Sequence, residues 1–167
     1  MEKTLYLVRH AKSSWGEPGL ADIDRPLNKR GCRDCQDMGA RLKKHGRMPD
    51  LIVSSPANRA LATARCIAQQ LHYPEADIVT VKNAYCSGTG ALVDILQRLD
   101  ERNTAVMLVA HNPDMTGLVD TLCGPVISDM PTCAIAMVRL EIDHWSQAGT
   151  VVSELTDYDF PKKSNTP

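Results

Sequence analysis

Ala105-Val106-Met107-Leu108-Val109-Ala110 runs directly into His111-Asn112-Pro113. Six apolar residues with no polar interruption suit a strand covered on both faces, the usual condition of a parallel strand between helices. Asn112-Pro113 then reads as a cap followed by proline at a first helical position, opening a helix through Leu118 and Leu122 to Gly124. Upstream, Leu92, Ile95, Leu96 and Leu99 keep helical spacing. Further out the alternation repeats. Leu5-Tyr6-Leu7-Val8, Leu51-Ile52-Val53 and Ile78-Val79-Thr80-Val81 read as short strands. Asn28 reads as the N-cap of a helix carrying Cys35, Met38 and Leu42 and stopping near Gly46. Ser55-Pro56 reads as cap and first position of a helix with Ala60, Leu61, Ala64, Ile67, Ala68 and Leu71 on one face. Ala134 to Ile142 and Val151 to Leu155 read as late strands, paired as a hairpin around Gly149. Residues 11–28, with Gly16, Pro18, Gly19 and Pro26, read as a long loop. Strands alternating with helices predict an α/β fold, a three-layer α/β/α sandwich on a mostly parallel sheet.

At 167 residues the expectation is one domain over residues 1–160 and a polar, disordered tail over 161–167. A chain this long buries about 70% of its unfolded surface and needs no disulfide or metal to complete a core. No apolar run approaches the ~18 residues of a membrane span. Met1-Glu2-Lys3-Thr4 leads straight into a strand, without a secretory pattern, so a cytoplasmic location is expected. The net charge of −1 exerts no global pull on nucleic acid or on an anionic membrane. Residues 1–83 hold 14 Lys/Arg against 9 Asp/Glu, and the rest hold 5 against 11, so an anion site belongs in the first half if charge decides it. Cys32 and Cys35 have the C-x-x-C spacing shared by redox and zinc sites, but nothing completes a zinc quartet and the pair falls inside a helical pattern. They are read as structural, as are Cys66, Cys86, Cys123 and Cys133. Gly88-x-Gly90 is too short for a dinucleotide fingerprint.

Three strand exits carry the chemistry. The first strand ends in Arg9-His10, the second leads to a helix with Arg59 in its first turn, and the long apolar strand ends in His111. Open α/β sheets bind ligands outside the carboxyl ends of their strands, where helix N-termini add N–H donors. Two arginines and two histidines there suit a dianion such as a phosphoryl group. Arginine bonds two phosphate oxygens at once and keeps its charge. A neutral imidazole is a competent nucleophile near pH 7, and a second one can donate to the equatorial oxygens.

Leu7-Val8-Arg9-His10-Ala11-Lys12-Ser13-Ser14-Trp15 resembles the signature of the histidine phosphatase superfamily, with Ala11 in the glycine position as in the short SixA-type phosphohistidine phosphatases. Residues 24–31, 54–60 and 109–113 match further motifs in the family's order. The resemblance implies a phosphoglycerate mutase-like fold, His10 as the phosphorylated nucleophile, and Arg9, Arg59 and His111 as holders of the phosphoryl group. It places Ser13 at a small polar position that touches phosphate. It implies no cofactor and no metal. Ala11 is tolerated there if its φ is negative.

The family's usual acid is missing, since Asn83-Ala84-Tyr85 holds no carboxylate and Asn112 follows His111. Asp22 and Asp24 are candidate general acids, Asp24 first, against a reading as loop charges or turn formers. A weak acid suits the P–N bond of phosphohistidine. The expected activity is metal-independent hydrolysis of phosphohistidine on proteins through phospho-His10. A phosphatase for small phosphoesters and a non-catalytic phosphate-binding module are the alternatives. The partner is a phosphorylated protein or small phosphorylated molecule, with neither nucleic acid nor membrane. Trp15 is expected to pack rather than line the site.

Overall fold

A computed structural model describes residues 1–163. Six strands form one sheet: β1 (Glu2–Arg9), β2 (Leu51–Ser54), β3 (Val79–Thr80), β4 (Ala105–Ala110), β5 (Ile135–Glu141) and β6 (Glu154–Asp159). Their order is β3-β2-β4-β1-β5-β6. The pairs β3–β2, β2–β4 and β4–β1 are parallel; β5 and β6 are antiparallel additions. Four helices cover the sheet: α1 (Lys29–Lys44), α2 (Asn58–Leu71), α3 (Thr89–Gln97) and α4 (Asp114–Cys123).

Side chains alternate across a strand, so each central strand feeds two cores. Leu5 and Leu7 of β1 and Val106, Leu108 and Ala110 of β4 join Leu92, Leu96, Leu118 and Leu122 of α3 and α4. Tyr6, Val8, Met107 and Val109 join Met38, Leu42, Ala64 and Ile67 of α1 and α2 on the other face. The three-layer α/β/α sandwich with a mostly parallel sheet follows directly. Truncating a fully buried centre such as Leu108 to alanine should cost about 2–5 kcal/mol.

Local signals hold at α1. The Asn28 side chain accepts from the Gly31 amide, 2.8 Å, and the chain leaves the helix through Gly46 at φ 65°. Gly31 is required for another reason. A Cβ there would meet the Lys12 carbonyl oxygen at 2.1 Å, because α1 starts against the loop that leaves β1.

Other expectations shift. α2 starts at Asn58 instead of Pro56, and the Ser55 hydroxyl accepts from the Ala57 amide as a local turn. α4 starts at Asp114, with the Asn112 side chain accepting from the Thr116 amide. β3 shrinks to two residues and Leu99 lies beyond α3. The last strand lies at 154–159, not 151–155; it pairs antiparallel with β5 as a hairpin would, but no tight turn forms at Gly149. The connection, 142–153, is long and passes through a 3₁₀ turn at Trp145–Gln147, anchored by fully buried Trp145. A register shift at Met137/Val138 turns Leu155 and Tyr158 both towards the core, a spacing of three that hides β6 from a period-two reading. At the tail, the Pro161 carbonyl accepts from Arg41 at 2.9 Å. The rest of the expected disordered tail, 164–167, lies outside the described residues. Among the described residues, no helix is long and apolar enough to cross a membrane.

Candidate active site

Register brings the strand exits together. Arg9 of β1 pairs with Ala110 of β4, and Val109 pairs with Ser54 of β2. One residue further on, the His10 amide bonds the Ala110 carbonyl (3.0 Å) and the Ser55 amide bonds Val109 (2.9 Å). His10 and His111 therefore leave adjacent strands side by side, ring centroids 5.0 Å apart and tilted by 53°.

Each imidazole is oriented by one hydrogen bond. His10 Nδ1 lies 2.7 Å from the Ala11 carbonyl oxygen. A carbonyl can only accept, so Nδ1 carries the proton and Nε2 keeps its lone pair. Ala11 is held in turn: its amide donates to Thr63 Oγ1 at 2.9 Å, and it is fully buried. Ala11 is absent from the positive-φ positions, which meets the condition for alanine in the glycine place. His10 is 8% exposed, and desolvation lowers its pKa to about 4 against the bond to Ala11, with Arg59, Arg9 and Arg25 adding to the fall. The ring is neutral at pH 7. His111 Nε2 lies 2.8 Å from Ser55 Oγ, and its Nδ1 is buried without a partner among the described residues. Burial, then His10 and Arg59, lower its pKa to about 3.

Cations surround the pair. Arg9 donates from Nη1 to the Met130 carbonyl, 2.8 Å, while its buried Nε has no partner among the described residues. Arg59, 5% exposed in the first turn of α2, donates to the Asp22 carbonyl (2.7 Å) and to Asp22 Oδ2 (2.9 Å). Arg25 donates to Asp22 Oδ1 (2.9 Å), to the Ser14 carbonyl (3.2 Å) and to Ser13 Oγ. A cavity of about 170 Å³ is lined by Arg9, His10, Lys12, Ser13, Trp15, Arg25, Arg59 and Thr132. The Ser13 hydroxyl accepts from Arg25 and keeps its own proton to donate. Backbone donors at α4 contribute less than expected, because the amides of Met115 and Thr116 bond His111 and Asn112.

The two loop carboxylates differ sharply. Asp24 is exposed, and its contact is through its carbonyl, which accepts from Asn58. Asp22 accepts from the Tyr85 hydroxyl at 2.6 Å as well as from Arg59 and Arg25. The Tyr85 hydrogen bond, followed by those from Arg25 and Arg59, holds the Asp22 carboxyl far below the usual carboxylate range. An ionised Asp22 has no proton to give a leaving group at neutral pH. Tyr85 also meets His111 edge-on at 5.4 Å.

The sequence alone assigns no role to Arg25 or Tyr85 and reads Ser55 as a helix cap. Arg25 stood inside the quoted motif at 24–31, but its neighbours alone do not show which way it points. Trp15 was expected to pack. It is 77% exposed, with the Arg25 guanidinium carbon 3.3 Å from its ring centroid. All six cysteines are free, and no group of three or more His, Cys, Asp or Glu among the described residues is placed to hold a metal ion.

Comparison with known proteins bears on the family and the fold. A model of the histidine phosphatase superfamily (branch 1) matches residues 5–83. An uncharacterised chloroplastic protein of Arabidopsis thaliana is 29% identical over 156 residues, 89% of this chain and 71% of its own length. The crystal structure of the putative phosphohistidine phosphatase SixA from Agrobacterium tumefaciens superposes with TM-score 0.82 at 27% identity, covering 95% of this chain and 98% of that one. The protein histidine phosphatase SixA complexed with tungstate gives TM-score 0.80 at 25% identity, covering 95% and 97%. Motif, sheet order and these likenesses converge: the fold is phosphoglycerate mutase-like, and residues 5–83 carry the match to the histidine phosphatase superfamily.

Proposed function

We propose that this chain, a phosphatase of the histidine phosphatase superfamily acting on phosphorylated substrates, hydrolyses phosphohistidine on proteins through a phosphohistidine formed at His10. The observation that carries the reading is the His10–Ala11 bond. It fixes one tautomer, burial keeps the ring neutral, and Nε2 is left as the nucleophile of a ring lining the cationic cavity. Nε2 attacks phosphorus and the P–N bond to the substrate imidazole breaks. The departing imidazole takes its proton from water. A water molecule then attacks the phosphorus on His10, the P–Nε2 bond breaks, and inorganic phosphate leaves.

Charge stabilisation falls to Arg9, Arg59 and Arg25, with further hydrogen bonds from Ser13 and His111. Three guanidiniums and the Lys12 ammonium against one carboxylate leave the site net positive, as a dianion requires, and no step of this mechanism is routed through a metal. With the Ser55 hydroxyl donating to His111 Nε2, His111 Nδ1 carries the proton and is the spare donor. Ionised Asp22 serves as a positioning residue for Arg59. Without a protein carboxyl to protonate the leaving group, an imidazole that collects its proton from water is a better substrate than a simple alkoxide. The likeness to the SixA structures supports the same substrate class.

The test is phosphate release, in chelator, from a phosphohistidine-bearing protein and from a chromogenic phosphoester. Wild type should turn over the phosphohistidine faster. His10→Ala should lower the rate at least ~10³-fold while the thermal midpoint stays within a few degrees. Full activity of the variant would overturn the nucleophile; a preference for the phosphoester would overturn the substrate.

A further inference from the structure

We propose that Trp15 forms the leaving-group subsite, where a planar ring attached to the phosphoryl group stacks on the outer face of the indole. This rests on the phosphatase reading and names the substrate feature that the mouth of the site selects.

Apart from the His10 imidazole itself, Trp15 is the one aromatic side chain among the described residues that lines the cavity holding Arg9, His10 and Arg59. That cavity, about 170 Å³, is well below the roughly 300–1,000 Å³ of sites that enclose a whole small ligand. A phosphoryl group fits, and whatever carries it must lie at the mouth. The indole is there, and it is oriented. Its inner face rests on Arg25, a buried residue whose guanidinium is fixed by Asp22, Ser13 and the Ser14 carbonyl. Its outer face accounts for the 77% exposure. A tryptophan left this open gains nothing for the core, yet a pinned aromatic plane loses little entropy when a second ring stacks on it.

A second concavity, about 340 Å³, shares Trp15 and Arg25 as its wall and continues past Pro18, Leu20 and Pro26. Leu20 is 39% exposed there. The ring subsite thus opens onto a partly apolar channel suited to the chain that bears the ring. A ring next to phosphorus, on a peptide, is what phosphohistidine presents. A compact aliphatic phosphoester would leave the indole uncovered.

The test uses binding, so it does not depend on turnover. In a His10→Ala background, the affinities of phenyl phosphate and ethyl phosphate are measured by calorimetry. Phenyl phosphate should bind roughly five- to tenfold more tightly. That preference should vanish in His10→Ala/Trp15→Ala and largely return in His10→Ala/Trp15→Phe. No preference with Trp15 present, or one that survives its removal, overturns the subsite. An equal loss for both ligands would show that Trp15 only props Arg25, and overturns it too. Failure of the phosphohistidine reading looks different: the aryl preference persists while wild type leaves phosphohistidine intact. If neither phosphate binds, both readings fall.

Discussion

The floor and the mouth of the site are built in different ways. The floor is Arg9, His10, Ser55 and His111, placed by strand register and held by single, short bonds to backbone or to one another. The mouth is Ser13, Trp15, Asp22 and Arg25, on a loop with one 3₁₀ turn, placed by side chains that bond each other. Buried strands leave the floor no freedom. The mouth is as ordered as the Arg25–Asp22–Arg59 chain makes it. In the proposed mechanism the fixed lone pair of His10 belongs to the floor, and the proposed leaving-group subsite belongs to the mouth.

Arg59 joins the two regions, so its replacement should be the most damaging change short of removing the nucleophile. Arg59→Lys retains the charge but cannot bond the Asp22 carbonyl and carboxylate and still offer two donors to a phosphoryl group. The expected loss in kcat/KM is about 10²–10³-fold, read by phosphate release. A loss under threefold would mean that floor and mouth work independently.

Asp22→Asn tests the mouth alone. An amide oxygen can still accept from Arg59, without the negative charge. About tenfold lower kcat/KM is expected, with the alkaline side of the pH profile unchanged because Asp22 holds no proton there. Loss of an alkaline limb in the variant would make Asp22 the acid after all.

The smallest effect is expected from pH on the wild type. Protonating His10 would remove its lone pair, and its pKa is lowered to about 4. kcat/KM attributable to His10 should therefore change less than about twofold between pH 5.5 and 7.5 and fall only as pH drops through about 4. An acid limb centred near 6.5 would show a floor open to water. Stability carries the same sign. Below pH 6.5 the unfolded chain protonates these histidines while the folded chain does not, so stability declines as pH falls from 6.5 towards 4.

Much of the floor was legible before folding. Arg9, His10, Arg59 and His111 were read at strand exits because an apolar run, a strand end and a helix start are local patterns. Asn28 as a cap and the two-sided apolar strand at 105–110 were legible for the same reason. What failed was non-local. Ser55 looked like a cap until His111 arrived beside it from 56 residues away. β6 was misplaced because a register shift against β5 sets its inward residues. Trp15 is expected by type to pack, and the structure packs it only against Arg25, leaving it 77% exposed.

The sequence by itself determined the layers, the parallel centre of the sheet and which residues end the strands, because periodicity and strand length act within a few neighbours. Only the tertiary structure decided that His10 and His111 stand 5.0 Å apart. It also put Asp22 rather than Asp24 on Arg59, and left Trp15 open at the mouth. The physical reason is that register and side-chain direction depend on partners far along the chain, and three carboxylate bonds from Arg25, Arg59 and Tyr85 outweigh any preference a loop aspartate has alone.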